Sequence, residues 1–377
     1  MTQIALVRYG EIGTKSKTVQ KQMVQALRQR VEKKIENKGL EYEKVSQRQG
    51  RIIAYVENAE KTAEVLQHLP GIKTVSPAKK AEPDLESIKK VSEKFSYGKT
   101  FGVNPNTGHT ELSTPEIAKE IGAHVEKFSG AQVDLDNPDT WLGVDVREDE
   151  AYLFTQTLQG PGGFPAGTQG NYAALISGGI DSPVAAYKMM TRGADITPVY
   201  FYNKPIAAED HLMRFKASVS KLKKFHSEKK WNAYIIDMGE VNKELMNVGR
   251  GRMVLHRKIM FRVAEKIAKE QNFNGIVTGE SLGQKSSQTA QNLELTSSDI
   301  KKPIMRPLLT MDKNSISEEA RKINTFEEAE IDSACRSLSP KNPATELGEE
   351  RLENIEETVE INELVEKAYE SLEIIEL

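Results

Sequence analysis

The sequence predicts two small α+β modules followed by an α/β domain built on a parallel sheet, and three observations carry this. Short strands and helices of mixed order fill the first 160 or so positions. Residues 160–171, GPGGFPAGTQGN, are rich in Gly and Pro, as expected of a linker or a functional loop. From Tyr172 onward strands and helices alternate, which argues for a parallel sheet with helices on both faces.

In chain order, QIALVRYGEIGTKSK reads as a strand over 4–9 that runs into a Gly- and Lys-containing loop. Val19, Met23, Leu27, Val31 and Ile35 then fall at four-residue steps, which keeps one helix face apolar, and Gly39 ends the helix. A strand over 51–56, a short helix, and LPGIKTVSPA as a further turn and strand complete a module ending near residue 75. The second module comprises the helix DLESIKKVSEKFSYG, the strand FGV, the helix STPEIAKEIGAHVEKF, the strand WLGVDVRE and AYLFTQTLQGP. Thr114 before Pro115 fits an N-cap followed by Pro at the first helical position. The third region reads YAALIS, PVAAYKMMTRG, ITPVYFY, a helix over 209–225, NAYIID, a helix over 254–270 and GIVTGES. From Glu346 the tail carries Leu352, Ile355, Val359, Leu364 and Ile374 among acidic residues, which predicts an amphipathic helix.

With 377 residues, 38% of them hydrophobic and 28% charged, the chain has the composition of a soluble protein of two or three domains. The net charge of -3 hides an asymmetry: twelve Glu follow position 345, against Arg351 and Lys367, and the remainder is net basic. An apolar run long enough to span a membrane is missing, and MTQIALVRYGEIG lacks a signal-peptide core, so a cytoplasmic protein with no membrane partner is expected. The single cysteine, Cys335, excludes an internal disulfide and any cluster held by several cysteines of one chain.

The chemistry is concentrated in LISGGIDS, residues 175–182. Leu175 and Ile176 end a strand, and Ser177, Gly178 and Gly179 are small enough for their backbone N–H groups to approach an anion. The helix that starts near Ser182 and Pro183 points its positive N-terminus at the same place. The stretch lacks the Lys of a Walker loop and the spacing of a dinucleotide turn. Ser-Gly-Gly-x-Asp-Ser resembles the PP-loop of ATP pyrophosphatases, which adenylate a substrate oxygen and release pyrophosphate.

RYGEIGTKSK, GGFPAGTQG, SGGIDSPVAAYKMMTRG, TGESLGQKSSQTAQNL and RPLLTMDK, in this order along nearly the whole chain, resemble the tRNA 4-thiouridine synthetase family, also described as tRNA sulfurtransferases linked to thiamine thiazole synthesis. The resemblance implies a ferredoxin-like domain over 1–75, a THUMP RNA-binding domain over 76–165 and a Rossmann-like PP-loop adenylation domain over 166–345, with the acidic helix over 346–377. It implies ATP and Mg²⁺ as cofactors, tRNA as substrate, and a homodimer. The expected reaction adenylates a uracil oxygen and displaces AMP with persulfide sulfur, because adenylation converts a poor leaving group into a good one.

On this resemblance Ser177, Gly178, Gly179, Asp181 and Ser182 form the pyrophosphate cradle, with Asp181 holding Mg²⁺ or orienting the loop; as a plain structural residue Asp181 would cap the next helix. Leu175, Ile176, Tyr200 and Phe201 fall at the adenosine pocket. Arg257, Gly279 and Gln288 match further nucleotide-contacting positions, and Lys313 matches a lysine near the reacting centre. Cys335 falls where the family carries the cysteine that meets the persulfide, as acceptor or as resolving thiol, and Arg336 beside it favours a thiolate.

The chain also departs from the family. It ends in the acidic segment, without the rhodanese domain of some members, so sulfur is expected from a cysteine desulfurase or another donor. FGVNPNTGHTELS lacks the Arg and Lys that members often carry after F-x-V, which weakens phosphate contact there. Arg214, Lys216, Lys221, Lys223, Lys224, Lys229 and Lys230 could compensate or could form an ordinary solvated face. Two other readings compete with thiolation: sulfur transfer to a carrier protein for thiazole synthesis, and a non-catalytic tRNA-binding protein, which the intact SGGIDS, GESLGQ and DK motifs disfavour.

Overall fold

The computed structural model describes residues 3–203, 209–249, 251–327 and 348–377. They form two units, one of Met1–Pro165 with Ser227–Lys229 and the other of Ala166–His226 with Lys230–Leu377.

The first unit contains β1 (Gln3–Arg8), α1 (Lys17–Asn37), β2 (Tyr42–Arg48), β3 (Arg51–Val56), α2 (Ala59–Leu66) and β4 (Thr74–Ala81). It continues with α3 (Leu85–Ser92), β5 (Thr100–Thr107), α4 (Thr114–Ser129), β6 (Gln132–Val133), β7 (Thr140–Val146), β8 (Ala151–Phe154) and β9 (Leu158–Gln159). Strand β1 pairs antiparallel with β3 and β4, and its side chains alternate between two faces. Ala5 and Val7 meet Val24, Leu27, Val31 and Ile35 of α1, whereas Ile4 and Leu6 lie opposite with Ile53, Tyr55 and Tyr152. Of the periodic residues of α1, only Val19 in the first turn stays exposed. Gly39 has φ +62 just beyond the helix end, the left-handed turn that glycine makes easily.

The two modules share one sheet, which the sequence does not reveal. Strand β4 pairs antiparallel with β8 through Lys79↔Leu153, Lys80↔Tyr152 and Ala81↔Ala151, giving the order β2-β3-β1-β4-β8-β7-β5-β6 with β9 on β4. Helices α3 and α4 cover β5 and β7 with Ile88, Ile117, Ile121 and Val125. On the helix-free face the twisted sheet folds over itself, so that Arg51 Nε reaches Asp145 Oδ2 at 3.0 Å and the Tyr55 hydroxyl donates to the Glu150 carboxylate. Two local expectations change. Strand β2 was not foreseen, because Val45 is its single fully buried residue and an edge strand this polar has little alternation. Helix α4 is capped by Ser113 instead of Thr114, since Ser113 and Glu116 satisfy each other's backbone N–H groups.

The second unit runs β10 (Asn171–Leu175), α5 (Asp181–Thr191), β11 (Asp195–Tyr202), α6 (Glu209–Leu222), β12 (Asn232–Asp237), α7 (Gly239–Leu245), α8 (Arg252–Glu270) and β13 (Gly275–Val277). It closes with α9 (Ala290–Ser297), β14 (Ile304–Met305), α10 (Lys313–Lys322), α11 (Glu349–Thr358), α12 (Ile361–Glu370) and β15 (Glu373–Glu376). The sheet order is β14-β13-β10-β11-β12-β15, parallel except for β15. Ala173, Leu175, Val199, Phe201 and Ile236 pack on one face, and Ala174, Ile176, Tyr200, Tyr202 and Ile235 on the other, as helices on both sides require. The chain steps from β10 to β11 and β12 on one side, then crosses to β13 on the other. The carboxyl ends of β10 and β13 therefore flank the crevice where open α/β sheets bind ligands.

The C-terminal tail is more than one appended helix. Leu352, Ile361, Leu364, Val365 and Ala368 are buried in the same core as Val254, Leu255, Ile259 and Val263 of α8. Strand β15 then extends the sheet antiparallel to β12, and Lys230 Nζ pairs with Glu376 Oε2 at 2.7 Å. Among the described residues no helix is long and apolar enough to cross a membrane.

Candidate active site

Residues 175–182 leave β10 and enter α5 as a loop closed on itself. Ser177 N donates to Ser182 Oγ at 2.8 Å, the two serine Oγ atoms lie 3.1 Å apart, and Gly179 N donates to Ser177 Oγ at 3.3 Å. These bonds tie the strand end to the first helical turn. At Gly178 a Cβ would stand 3.1 Å from the Cβ of Arg214 on α6, whereas at Gly179 its nearest neighbour would be Ser177 Oγ at 3.4 Å. The tightest approach is at the end of β13: a Cβ on Gly279 would lie 2.7 Å from both N and Cα of Ser182. Only a hydrogen fits between these two backbones, so Gly279 lets β13 close against the start of α5.

Asp181 is the first residue of α5, and the position before it, Ile180, makes no side-chain cap. The carboxylate is instead engaged by Lys313 Nζ at 2.8 Å, from the first residue of α10. Asp312 caps α10 by accepting from Asn314 N, Ser315 N and Ser315 Oγ, which fixes the start of the helix and hence its lysine.

Beside the loop lies a cavity of about 140 Å³. Leu175, Ile176, Ser177, Asp181, Ser182, Tyr200, Phe201, Arg257, Gly279 and Gln288 all line it, so these sequence-derived candidates converge. Gly178 and Gly179 sit in the adjoining loop and Lys313 reaches the site through Asp181. Cys335, with its neighbour Arg336, lies outside the described residues. Gln288 is buried and its Oε1 has no hydrogen-bond partner, an acceptor held for something that donates.

Two further lining residues, Glu280 and His256, were not among the sequence-derived candidates. Glu280 is 1% exposed and is held by Arg257 Nη1 at 2.5 Å, Arg306 Nε at 2.8 Å and Thr278 Oγ1 at 2.9 Å. Burial pushes its carboxyl up, but the two guanidiniums outweigh that and hold it below the usual carboxylate range. Arg257 is thus an anchored residue of the cavity wall and not a solvated helix-face cation. His256, on the next position of α8, is buried with Nε2 3.0 Å from Asn203 Oδ1. Burial, aided by Arg257, lowers its pKa from 6.5 to about 4, so the imidazole is neutral at pH 7. Only spatial neighbours distinguish these residues from ordinary helix and strand-end positions.

The His256 shift gives a signed expectation. Its folded pKa lies below the unfolded one, so the unfolded chain binds the extra proton between pH 6.5 and 4, and stability falls as pH drops through that window. The full shift amounts to about 3 kcal/mol. In urea titrations His256→Gln is expected to lose less stability than wild type between pH 7 and 4.5; equal losses would remove His256 as the cause.

The family model for the thiamine biosynthesis protein ThiI matches residues 167–361, that for the ThiI ferredoxin-like domain residues 4–76, and that for the THUMP domain residues 85–156. The chain belongs to the ThiI family. Among its curated relatives, a probable tRNA sulfurtransferase of Thermococcus kodakarensis is 34% identical over 91% of this chain and 93% of that one. A probable tRNA sulfurtransferase of Caldanaerobacter subterraneus is 34% identical over the full length of both. A crystal structure of a 4-thiouridine synthetase–RNA complex with bound ATP matches with TM-score 0.88 and 32% identity, covering both chains completely. The expected fold, a ThiI chain with ferredoxin-like, THUMP and PP-loop parts, is therefore the one present, and this ThiI chain is an enzyme of the tRNA sulfurtransferase class.

Proposed function

We propose that this chain converts a tRNA uridine to 4-thiouridine by adenylating the uracil oxygen with ATP and displacing AMP with persulfide sulfur. One observation carries the reading: a closed Ser-Gly-Gly-x-Asp-Ser loop between β10 and α5 has the Asp181–Lys313 pair at its edge and a cavity walled by Leu175, Ile176, Tyr200 and Phe201 beside it. Backbone N–H groups of the loop and the start of α5 suit the leaving pyrophosphate. Tyr200, Phe201, Leu175 and Ile176 offer apolar walls to an adenine ring, and Gln288 Oε1 offers an acceptor.

In the first half-reaction the uracil O4 attacks the α-phosphorus and pyrophosphate leaves. In the second, sulfur attacks C4 and AMP leaves with the oxygen. Lys313 brings an ammonium to the centre, where it offsets charge that grows on the phosphoryl oxygens. A single cavity-lining carboxylate, Asp181, suits Mg²⁺ held mainly by substrate phosphates. Asp181 would hold the ion, which supplies charge neutralisation on the triphosphate. Sulfur reaches C4 bound through an S–S bond, which a second thiol must break. With Cys335 the only cysteine of the chain, either it carries the persulfide or it resolves one carried by a cysteine desulfurase or another donor.

Nucleoside analysis of bulk tRNA tests this. A strain lacking the protein is expected to lose 4-thiouridine, wild type to restore it, and Cys335→Ser to bind ATP and tRNA without restoring it. Persistence of 4-thiouridine in the deletion strain would refute the assignment and leave sulfur transfer to a carrier protein as the reading to test.

A further inference from the structure

We propose that Arg8, Arg51 and Arg147, gathered around Asp145 on the helix-free face of the first unit's sheet, form the site that grips an RNA backbone phosphate. The three arginines come from the end of β1, the start of β3 and the turn after β7. Arg8 Nε lies 3.7 Å, Arg51 Nε 3.0 Å and Arg147 Nη2 2.6 Å from the Asp145 carboxylate, itself 2% exposed at the side chain. Three guanidiniums on one carboxylate leave two positive charges uncompensated within the cluster. Burial lowers Arg8 to about 10, against the pull of Asp145 and with smaller repulsions from Arg51 and Arg147.

The cluster also has hydrogen-bonding capacity to spare. Arg8 Nη2 and Arg147 Nε are buried donors with no partner. Such donors ordinarily find an acceptor, and the fork of a guanidinium matches a phosphate better than any other side chain does. The Phe154 ring lies beneath Arg8, its centroid 4.4 Å from Cζ, and so holds the guanidinium flat.

Position supports RNA over other anions. NPNTGH, which ends β5 and runs two residues beyond it, has no Arg or Lys of its own. Arg147 supplies a cation there from the end of the neighbouring strand β7: its Nη2 donates to Asn106 Oδ1 at 3.2 Å, and its Nη1 would be 2.1 Å from a Cβ on Gly108. By contrast, parts of the other basic cluster have structural roles. Arg214 is buried and bonds Asp210, Lys223 bonds the Leu377 carbonyl, and Lys230 pairs with Glu376.

This inference rests on the tRNA reading, and the test separates the two. Binding of tRNA to the full chain is measured from 0.05 to 0.3 M salt for wild type, Arg147→Gln and Arg147→Lys, with ATP binding as a control. Arg147→Gln is expected to weaken tRNA binding about tenfold and to lower the slope of log K against log salt by about 1, leaving ATP affinity unchanged. Arg147→Lys, which keeps the charge and loses the fork, should retain the slope with part of the affinity. As a check on the unmutated protein, tRNA should protect Arg8 and Arg147 from an arginine-specific dicarbonyl. Unchanged slope and affinity in Arg147→Gln, or no protection, would overturn the site while the tRNA reading stands; a wild-type chain that does not bind tRNA would overturn both.

Discussion

Asp181→Ala is expected to lower the turnover of ATP-dependent thiolation by about a hundred- to a thousandfold, with folding stability changed by less than about 1 kcal/mol. The two effects separate because of where the pair sits. Lys313 is half exposed and Asp181 only 17% exposed, so at rest the Asp181–Lys313 contact is a surface ion pair of small net value. In the proposed adenylation the same groups would face a triphosphate whose charge redistributes as pyrophosphate departs, and fixed charges act there without reorganising. Lys313→Ala should fall in the same range, and the double variant should be little worse than either single one, as for groups that act as a unit. Single-turnover thiolation and urea unfolding of all three variants check this. Turnover near wild type would remove the pair from the reacting centre, and losses that multiply would show that the two act separately.

Glu280→Ala is expected to carry the largest stability cost, about 3–5 kcal/mol. Glu280 is the shared counter-ion of Arg257 and Arg306, whose side chains are 22% and 18% exposed. Removing it leaves two partly buried guanidiniums facing each other with no anion between them. For a unit of roughly 200 residues the loss corresponds to a fall in Tm on the order of 10 °C. Glu280→Gln keeps an acceptor but not the charge and should lie between wild type and Ala. Because Arg257 lines the cavity proposed to take the nucleotide, ATP should recover part of the loss by binding the folded form. Calorimetry with and without ATP is the measurement. A Tm shift under about 2 °C in Glu280→Ala would mean that the guanidiniums reach water and that the network is not a buried one.

Much of the site was legible because its chemistry is local. Six consecutive residues, from Ser177 to Ser182, include two glycines, two hydroxyls that bond each other and a helix start, so their conformation depends on few distant contacts. The family motifs brought Tyr200, Phe201, Arg257, Gly279 and Gln288 to the same list, and they line one cavity. Glu280 lies inside the GESLGQ motif and His256 directly before Arg257, yet nothing local marks either side chain as part of the cavity wall. A Glu after Gly in a polar stretch looks like any loop carboxylate until two arginines, one of them 26 positions away, close on it.

Architecture divides in the same way. The two α+β modules, the alternating α/β region, the Ser-Gly-Gly-x-Asp-Ser loop and the family could all be read from the chain alone, since hydrophobic period, Gly placement and short motifs are properties of neighbouring residues. Only the tertiary structure decided that the two modules share one sheet through β4 and β8, and that the acidic tail ends as strand β15 on β12. It also decided that Asp181 meets Lys313 across 132 positions and that three arginines converge on Asp145. Strand pairing uses backbone groups that every residue has, and charge pairing acts through distance in space; neither leaves a mark on local sequence, so both are settled when the cores pack.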